Sequence, residues 1–455
     1  MSRWTRLRAR VAACACPAAI GLLLALPVAA ASGHGHGASV ATVQPTASTV
    51  PIAPTAIVGA RILPVASPAI AAGTLVIGDD GRIAALGPVD AVAVPAGARR
   101  IDGAGLTVYP GLIDSDTSLG LAERDMEFAA HDVLETSSPM FPQGRVADAF
   151  DPDSAHLEVV RANGITHAVV APGDSLPATG QSALMQLAAG AQGHVVRSPL
   201  ALHLNVSERV GGDGAPGTRM GVAAQLRQLL ADGRARLNDP RARAKPDPKL
   251  DALAPALRGE QPVVISATAS QDVRLALALA REFGLDLILS DVIDAEDQFD
   301  AIAAAGVPVI LGPIQLLPRD TQRYDAHYRV PAQLAARGIA FAFSSGGVAQ
   351  IRRFGYPRLA QMRNLPHLAG LATGFGLDPD AALEALTLAP ARIWGVDDEI
   401  GSLAPGKRAH LVVATGSPLE PTSDVRHVFV DGRDVPLDSY QSRLRDRYRD
   451  AGGLR

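Results

Sequence analysis

Short apolar runs alternate along the middle of the chain with longer segments whose apolar residues recur every three or four positions. The runs are typical of parallel strands buried on both faces, and they cover residues 165–172, 262–267, 285–289, 307–311 and 339–343. The segments between them are predicted helices, at residues 154–163, 218–231, 272–283, 296–305 and 332–337. Strands and helices that alternate in this way predict right-handed βαβ units. Residues 110–395 have about the length of a closed α/β barrel of the (β/α)8 TIM type.

The two flanks have a different pattern, because their short β-branched runs are separated by turn residues rather than helices. These runs cover residues 56–62, 74–77, 82–86, 410–414 and 425–430. Strands from both flanks need partners, so residues 55–109 and 396–436 are predicted to form one small β-sandwich. Residues 437–455 are left as a carboxyl-terminal tail.

The amino-terminal residues 1–31 place four arginines before an apolar run and small residues after it. This order is typical of a cleavable secretory signal, and the run is shorter than the ~20 residues that span a membrane. Residues 32–54 are predicted to be a disordered leader, in which His34 and His36 are a weak chelating pair at most. The mature protein is therefore expected to be exported, periplasmic or secreted, with no stable membrane span.

Composition excludes several classes of site. Both cysteines, Cys14 and Cys16, lie in the predicted signal, so the mature chain would have neither disulfide nor thiolate ligand. Hydrophobic residues make up 47% and charged residues 19%, which favours a globular protein. The net charge of −4, which signal removal makes more negative, gives no reason to expect nucleic-acid binding.

One motif carries most of the information on chemistry. Residues 108–121, VYPGLIDSDTSLGL, are similar to the PGLIDxHxHxG segment of the amidohydrolase superfamily. A second block, ALTLAPARIWGVDDEIGSLAPGKRAHLVV from Ala385, resembles the run that leads family chains out of the barrel, with His410 where the family has aspartate. The resemblance covers almost all of residues 56–433 and is closest to secreted proteins similar to imidazolonepropionase.

The resemblance implies a metal site, and its ligand positions can be carried over one at a time. The two histidines of the first strand fall on Asp116 and Ser118, and the histidine of the fifth strand falls on Ser266. The histidine of the sixth strand falls near Asp291, and the aspartate of the eighth strand falls on or beside Gly346. No position keeps the family's ligand type, and the three lysines lie outside the predicted strands, where none could bridge two metals. No metal or other cofactor is therefore expected.

Other polar residues are candidates for lining a pocket at the predicted barrel mouth. Asp116 and Asp291 could alternatively form an oxygen site for Mg²⁺ or Ca²⁺, although these ions need six or more oxygen ligands or retained waters. A serine nucleophile lacks an adjacent base held by a third group. Asp174 and Gln181 flank a predicted loop after the second barrel strand, at residues 171–182. The candidate pocket residues are Asp116, Asp174, Gln181, His203, Ser266, Asp291 and Ser344.

Two hypotheses of function follow from these observations. The first is a pseudoenzyme, which keeps the barrel and its pocket to bind a small molecule or an active paralogue. The second is an active hydrolase of cyclic amides or other non-peptide C–N bonds that uses a different site. Without a metal to lower the pKa of water, the usual route to a hydroxide nucleophile is missing, which favours the first hypothesis.

Overall fold

A computed structural model describes residues 52–124, 127–135, 137–188, 194–207, 216–318, 322–346 and 359–452. The predicted signal and nearly all of the predicted leader lie outside these residues. Within them, none of the helices is both long enough and apolar enough to cross a bilayer.

Strands from the two flanks pair in one eight-stranded sheet, as the sequence predicts. Strand β5 joins the two flanks, because it pairs parallel with β1 and antiparallel with β16. A second layer, which would make this sheet a sandwich, is not seen in the described part of the chain. The strands are β1 (Thr55–Ile62), β2 (Ile70–Ile77), β3 (Ile83–Pro88), β4 (Arg99–Asp102), β5 (Thr107–Pro110), β16 (Leu411–Ala414), β17 (Val425–Val430) and β18 (Arg433–Val435).

The central strands form two further sheets, of four and six strands. The four-stranded sheet has the order β10-β9-β7-β6, and the six-stranded sheet has the order β15-β14-β13-β12-β11-β8. The strands are β6 (Leu112–Thr117), β7 (Ile165–Val170), β8 (Ala178–Gln181), β9 (Ala183–Gln186), β10 (Val195–Arg197), β11 (Leu202–Asn205), β12 (Val263–Ser266), β13 (Leu287–Ser290), β14 (Val309–Leu311) and β15 (Phe341–Phe343).

Helices separate the central strands in the predicted α/β order. The described helices are α1 (Ala155–Ala162), α2 (Arg219–Asn238), α3 (Pro240–Arg243), α4 (Pro248–Asp251), α5 (Ala254–Leu257), α6 (Ser270–Phe283), α7 (Phe299–Ala305), α8 (Ala326–Ala336), α9 (Leu365–Thr373), α10 (Pro379–Glu384), α11 (Leu388–Ile393) and α12 (Tyr440–Gly452). Helix α6 ends at Gly284, whose φ of 62° is the left-handed cap expected of a glycine there. Helix α12 lies in the segment predicted as a tail.

The α/β class is confirmed. The predicted closed barrel of parallel strands is not seen as one continuous hydrogen-bonded sheet among the described residues, because the central strands form two sheets that include antiparallel strands. Strands β8 and β9 run antiparallel to β11 and β7, in a segment that the sequence pattern places in a loop. Only Ser182 separates β8 from β9, so the chain itself links the two sheets on that side. On the other side, Thr117 and Gly346 form an isolated parallel bridge between the segments that end β6 and follow β15.

One buried core contains residues from both central sheets. We call it the inner cluster; it consists of Val169, Leu184, Leu200, Ala201, Val264, Ile288, Ile310, Ala342, Ile393 and Trp394. The residues that flank its strand members in sequence, such as Val263 and Ile265, belong instead to the large core that includes the helices. Because side chains alternate between the faces of a strand, the inner cluster and the helices lie on opposite faces of the six-stranded sheet.

Candidate functional site

Polar side chains replace apolar ones on the inner-cluster face as the strands approach their carboxyl ends. Two residues beyond Ala201, Val264, Ile288 and Ala342, the chain places His203, Ser266, Ser290 and Ser344. All four are buried, and the two-residue spacing keeps them on the same face. The structure therefore has a polar tier (His203, Ser266, Ser290 and Ser344) on top of an apolar one, at the end of the strands where α/β folds bind ligands.

Ser266 and Asp291, two of the positions onto which family ligands fall, are in direct contact. The Ser266 hydroxyl donates a hydrogen bond of 3.0 Å to Asp291 Oδ2. Asp291 follows the last residue of β13 and has a φ of 62°, a left-handed conformation that aspartate tolerates better than most residues. Strained backbone of this kind occurs often at functional sites.

Asp116, Ser118 and Gly346 meet where β6 and the segment after β15 come together. The Gly346 amide donates a hydrogen bond of 2.9 Å to the Asp116 carbonyl. The Ser118 side chain is 0% exposed, and its hydroxyl has no hydrogen-bond partner among the described residues.

Two more buried polar atoms at these strand ends lack partners in the described part of the chain. They are the hydroxyl of Thr268, which is 1% exposed, and Nε2 of His203, which is 8% exposed. Burial lowers the pKa of His203 to about 3, so its ring is neutral at physiological pH. A buried polar group that is not hydrogen-bonded costs about 1–3 kcal/mol, so such groups call for a specific explanation.

Asp174 lies beside the carboxyl end of β11, whereas Gln181 is placed near the amino end of that strand. The Asp174 backbone carbonyl accepts a hydrogen bond from the side chain of Asn205. Gln181 lies in β8 beside Leu202, the first residue of β11, and its amide donates a hydrogen bond of 3.0 Å to the Pro142 carbonyl. The structure therefore places Gln181 in a strand rather than in the loop that the sequence pattern predicts.

A buried carboxyl that sequence reasoning missed, Asp114, belongs to β6 itself. Ser345 donates two hydrogen bonds to Asp114, from its amide to Oδ1 (2.9 Å) and from its hydroxyl to Oδ2 (2.5 Å). The Ser345 hydroxyl also lies 3.2 Å from that of Thr117. Burial raises the pKa of Asp114 to about 7, although the Ser345 hydrogen bonds act in the opposite direction. Asp114 belongs to the PGLID motif, so its sequence position alone was a signal.

A second missed group is a His–Asp pair beyond the carboxyl ends of β13 and β14. His327 Nε2 lies 3.0 Å from Asp294 Oδ1, and His327 Nδ1 lies 3.4 Å from the Leu316 carbonyl oxygen. Both neighbours are acceptors, so both contacts are satisfied only when the ring is protonated. The hydrogen bond with Asp294 accordingly raises the pKa of His327. No sequence motif marks this pair.

Replacing His327 with Gln should destabilise the protein more at low pH than at high pH. Because the folded-state pKa is raised above the ordinary 6.5, the stabilisation is complete below that value and is lost as pH rises through the raised pKa. A hydrogen bond between charged groups contributes about 2 kcal/mol, which sets the expected loss near pH 6. Urea unfolding near pH 6 and near pH 9 measures both values.

Gln322→Ala is the matched control, because the Gln322 amide is an uncharged donor that does not titrate and donates a hydrogen bond of 3.0 Å to the same Asp294 oxygen. Its effect should not depend on pH in this range. An equal loss at both pH values for His327→Gln would show that the ring is neutral in the folded protein.

The donors at the family's ligand positions do not fit a transition metal. A zinc site usually has three or four ligands drawn from imidazole nitrogen, thiolate and carboxylate. These positions supply only two carboxylates, and the other three are two serine hydroxyls and a glycine. Over the described residues, no group of three or more His, Cys, Asp or Glu side chains is placed to hold a metal ion.

Comparison with known proteins places this geometry in context. Residues 277–435 match the family described as "Amidohydrolase family", whereas no curated protein matches the chain significantly. Among solved structures, an amidohydrolase from Thermotoga maritima is 24% identical with a TM-score of 0.75, over 84% of this chain and 99% of that one. A protein described as a prolidase from Bifidobacterium longum is 19% identical with a TM-score of 0.51, over 89% and 100% of the two chains.

Molinate hydrolase is a third structure with this fold, at 16% identity and a TM-score of 0.53, over 85% of this chain and 95% of its own. At these identities the structures show a shared fold. The sequence match adds a similarity to the amidohydrolase family over residues 277–435.

Proposed function

We propose that this protein uses the amidohydrolase fold to bind a small organic molecule at the carboxyl ends of its central strands, without metal-dependent hydrolysis. The observation that carries the proposal is the chemistry of the ligand positions, above all the hydrogen bond between Ser266 and Asp291. Where a metal enzyme would hold a cation between such residues, these two side chains satisfy each other. The buried hydroxyls of Ser118 and Thr268, which have no hydrogen-bond partner among the described residues, are suited to a polar ligand.

We further propose that the two central sheets surround one barrel axis. Two observations support this arrangement: the inner cluster draws residues from both sheets, and the Thr117–Gly346 bridge connects β6 with the segment after β15. The chain's apolar amino-terminal segment supports export to the periplasm or beyond, and the PGLID and carboxyl-terminal blocks support a place near the imidazolonepropionase-like proteins.

Purified protein that has been incubated with zinc or manganese and then desalted should retain far less than one metal ion per chain. The reason is that the ligand positions offer neither imidazole nor thiolate. Elemental analysis measures the content, and a His34→Ala/His36→Ala variant controls for chelation by the leader.

Stoichiometric zinc in that variant would contradict the proposal. So would hydrolysis of any member of a panel of cyclic amides and dipeptides at an enzyme-like rate, if Asp116→Asn abolished it. That second result would favour an active hydrolase of non-peptide C–N bonds.

A further inference from the structure

Helix α12 is attached to the body of the protein through its first turn. The Tyr440 amide donates a hydrogen bond of 3.0 Å to Glu158 of α1, and the Arg443 guanidinium forms an ion pair of 3.0 Å with the same carboxylate. None of residues 440–449 belongs to a buried core of the described chain. The helix therefore presents most of this surface to solvent.

One side of α12 carries a line of apolar side chains, which we call the tyrosine stripe (Tyr440, Leu444 and Tyr448). Residues four apart lie on the same side of a helix, so the three side chains follow one another along its axis. Tyr440 is 54% exposed and Tyr448 is 69% exposed, whereas Leu444 is half-buried. Exposed apolar side chains that line up in this way mark surfaces that meet a partner or a membrane.

Four arginines flank the tyrosine stripe on both of its sides. Arg443 and Arg447 each directly precede a stripe residue, and Arg445 and Arg449 each directly follow one. Consecutive residues are about 100° apart around a helix, so one pair of arginines lies on either side of the stripe. Asp446, the one acid of residues 440–449, is two residues from its nearest stripe neighbours and therefore lies on the opposite side of the helix.

The charge of this face favours an anionic partner. Residues 443–449 contain four arginines and one aspartate, a net charge of +3 in a chain whose total is −4. Charges act over about 8 Å in physiological salt, so acids elsewhere on the molecule are largely screened from a surface that touches α12.

The arrangement of the arginines favours a flat partner. Two rows of arginines on either side of an apolar stripe both reach a flat anionic surface when the stripe lies against it. A single acidic peptide would meet one row only. A second copy of the helix would bring arginine rows together, which costs energy through repulsion.

We infer that α12 binds the surface of an anionic lipid bilayer, with the tyrosine stripe in the headgroup region and the arginines on lipid phosphates. Tyrosine, whose ring is apolar and whose hydroxyl is polar, suits this depth, and the arginine guanidinium is a good donor to phosphate. The helix has 13 residues, enough to lie along such a surface but fewer than the ~20 that span a bilayer. The inference does not depend on the proposed function, because α12 lies outside the central strands.

Flotation of the mature protein with lipid vesicles tests the inference. Protein without residues 1–31 is used, because the arginines and the apolar run of that segment would bind lipid themselves. At low salt, vesicles of equal parts phosphatidylglycerol and phosphatidylcholine should bind the protein at least about 10-fold more tightly than vesicles of phosphatidylcholine, and high salt should remove the difference. Equal binding to both kinds of vesicle, or binding to neither, overturns the inference.

The variant Arg445→Gln/Arg447→Gln/Arg449→Gln assigns the binding to α12. It should weaken binding to the anionic vesicles about 100-fold, since each arginine near such a surface contributes about 5-fold. Arg443 is left in place because it holds the helix to Glu158. Changing the same three arginines to lysine keeps the charge and should leave binding within about 3-fold of wild type. A lysine variant that binds no better than the glutamine variant contradicts an electrostatic contact with lipid.

The matched control is Arg227→Gln/Arg258→Gln/Arg392→Gln. It removes the same total charge from side chains that are 43%, 47% and 42% exposed on other parts of the molecule. This variant should bind the anionic vesicles as wild type does. If it loses as much affinity as the α12 variant, the attraction is a property of the net charge and the inference is wrong.

Tyr448→Trp shows whether the tyrosine stripe itself meets lipid. The fluorescence emission of the introduced side chain should shift to shorter wavelength when anionic vesicles are added, while Trp394, which is 1% exposed, gives a constant background. Binding without this shift would make α12 a general site for polyanions and overturn the inference. So would polyglutamate that binds as tightly as the anionic vesicles, which would indicate an acidic protein partner, or a dimer that the α12 arginine variant abolishes.

Discussion

Asp114→Asn should make the stability of the protein less dependent on pH between about pH 4 and pH 7. The folded-state pKa of Asp114, about 7, is raised above its ordinary 3.8 because the carboxyl is buried. The protonated form is therefore favoured on folding. The contribution to stability is complete below about 3.8 and is lost as pH rises to about 7.

Each pH unit in that window changes the free energy of unfolding by about 1.4 kcal/mol, or about 4 kcal/mol in all. Asparagine keeps an acceptor for the Ser345 amide and carries no charge. We therefore expect the variant to approach or exceed wild-type stability near pH 8 and to fall below it near pH 4. Guanidinium unfolding of both proteins across this range measures the difference between the two curves, from which the other titrating groups cancel.

Asp325→Asn is a control in which the expected dependence of stability on pH has the opposite sign. The Arg323 guanidinium donates to Asp325 and lowers the pKa of that carboxyl to about 2, so its contribution is present at neutral pH and lost in acid. This variant should be less stable than wild type near pH 7, and the two should converge in acid. If Asp114→Asn instead loses stability in the way Asp325→Asn does, Asp114 is ionised in the folded protein and the hydrogen bonds from Ser345 outweigh its burial.

The strands and helices were predictable wherever the local pattern matched the tertiary environment. The apolar run at 285–289 became β13 at Leu287–Ser290, and the run at 165–172 became β7 at Ile165–Val170, because both lie between two apolar layers. The pairing of strands from the two flanks was predictable because unpaired strands expose backbone N–H and C=O groups that need hydrogen-bond partners. Helix α2 extends to Asn238, seven residues beyond its predicted end, and continues through Gly233, which is buried and packs closely against Leu253 and Leu257.

The antiparallel pair β8 and β9 was not predictable in the same way. Residues 178–186 contain four small residues (two alanines, a glycine and a serine), and the preceding loop is rich in turn formers, so local propensity favours a loop. Both strands form because β11 and β7 offer them partners, which only the tertiary structure reveals. Gln181 was misplaced for that reason.

Part of the candidate site was predictable from the sequence, and part was not. The family motif located Asp116, Ser118, Ser266 and Asp291 in sequence, but it could not show that the Ser266 hydroxyl bonds Asp291. The motif also could not predict contacts between residues far apart in sequence, such as Asp114 with Ser345 and Asp294 with His327. Such pairs depend on loop geometry and leave no periodic pattern behind.

Replacing Asp116, Ser118 and Ser266 together with histidine should create a zinc site. These are three of the positions onto which the resemblance carries the family's metal ligands, and three histidines plus a water are a known zinc ligand set. Zinc affinity should rise at least about 100-fold over wild type, because ligand type is what these positions lack. Titration against a competing chelator measures it, and the triple alanine variant at the same positions is the control.

Hydrolytic activity should not follow from the metal alone. Metal-bound histidines depend on outer hydrogen bonds that orient the rings, and the Ser266→His change also removes the donor to Asp291. Adding Gly346→Asp, which restores the family's strand-eight aspartate, should help less than its charge implies. Gly346 has a φ of 73°, where a side chain costs about 1–2 kcal/mol. If the triple histidine variant binds zinc no better than the triple alanine variant, these strand ends do not converge, and the carried-over ligand positions are wrong.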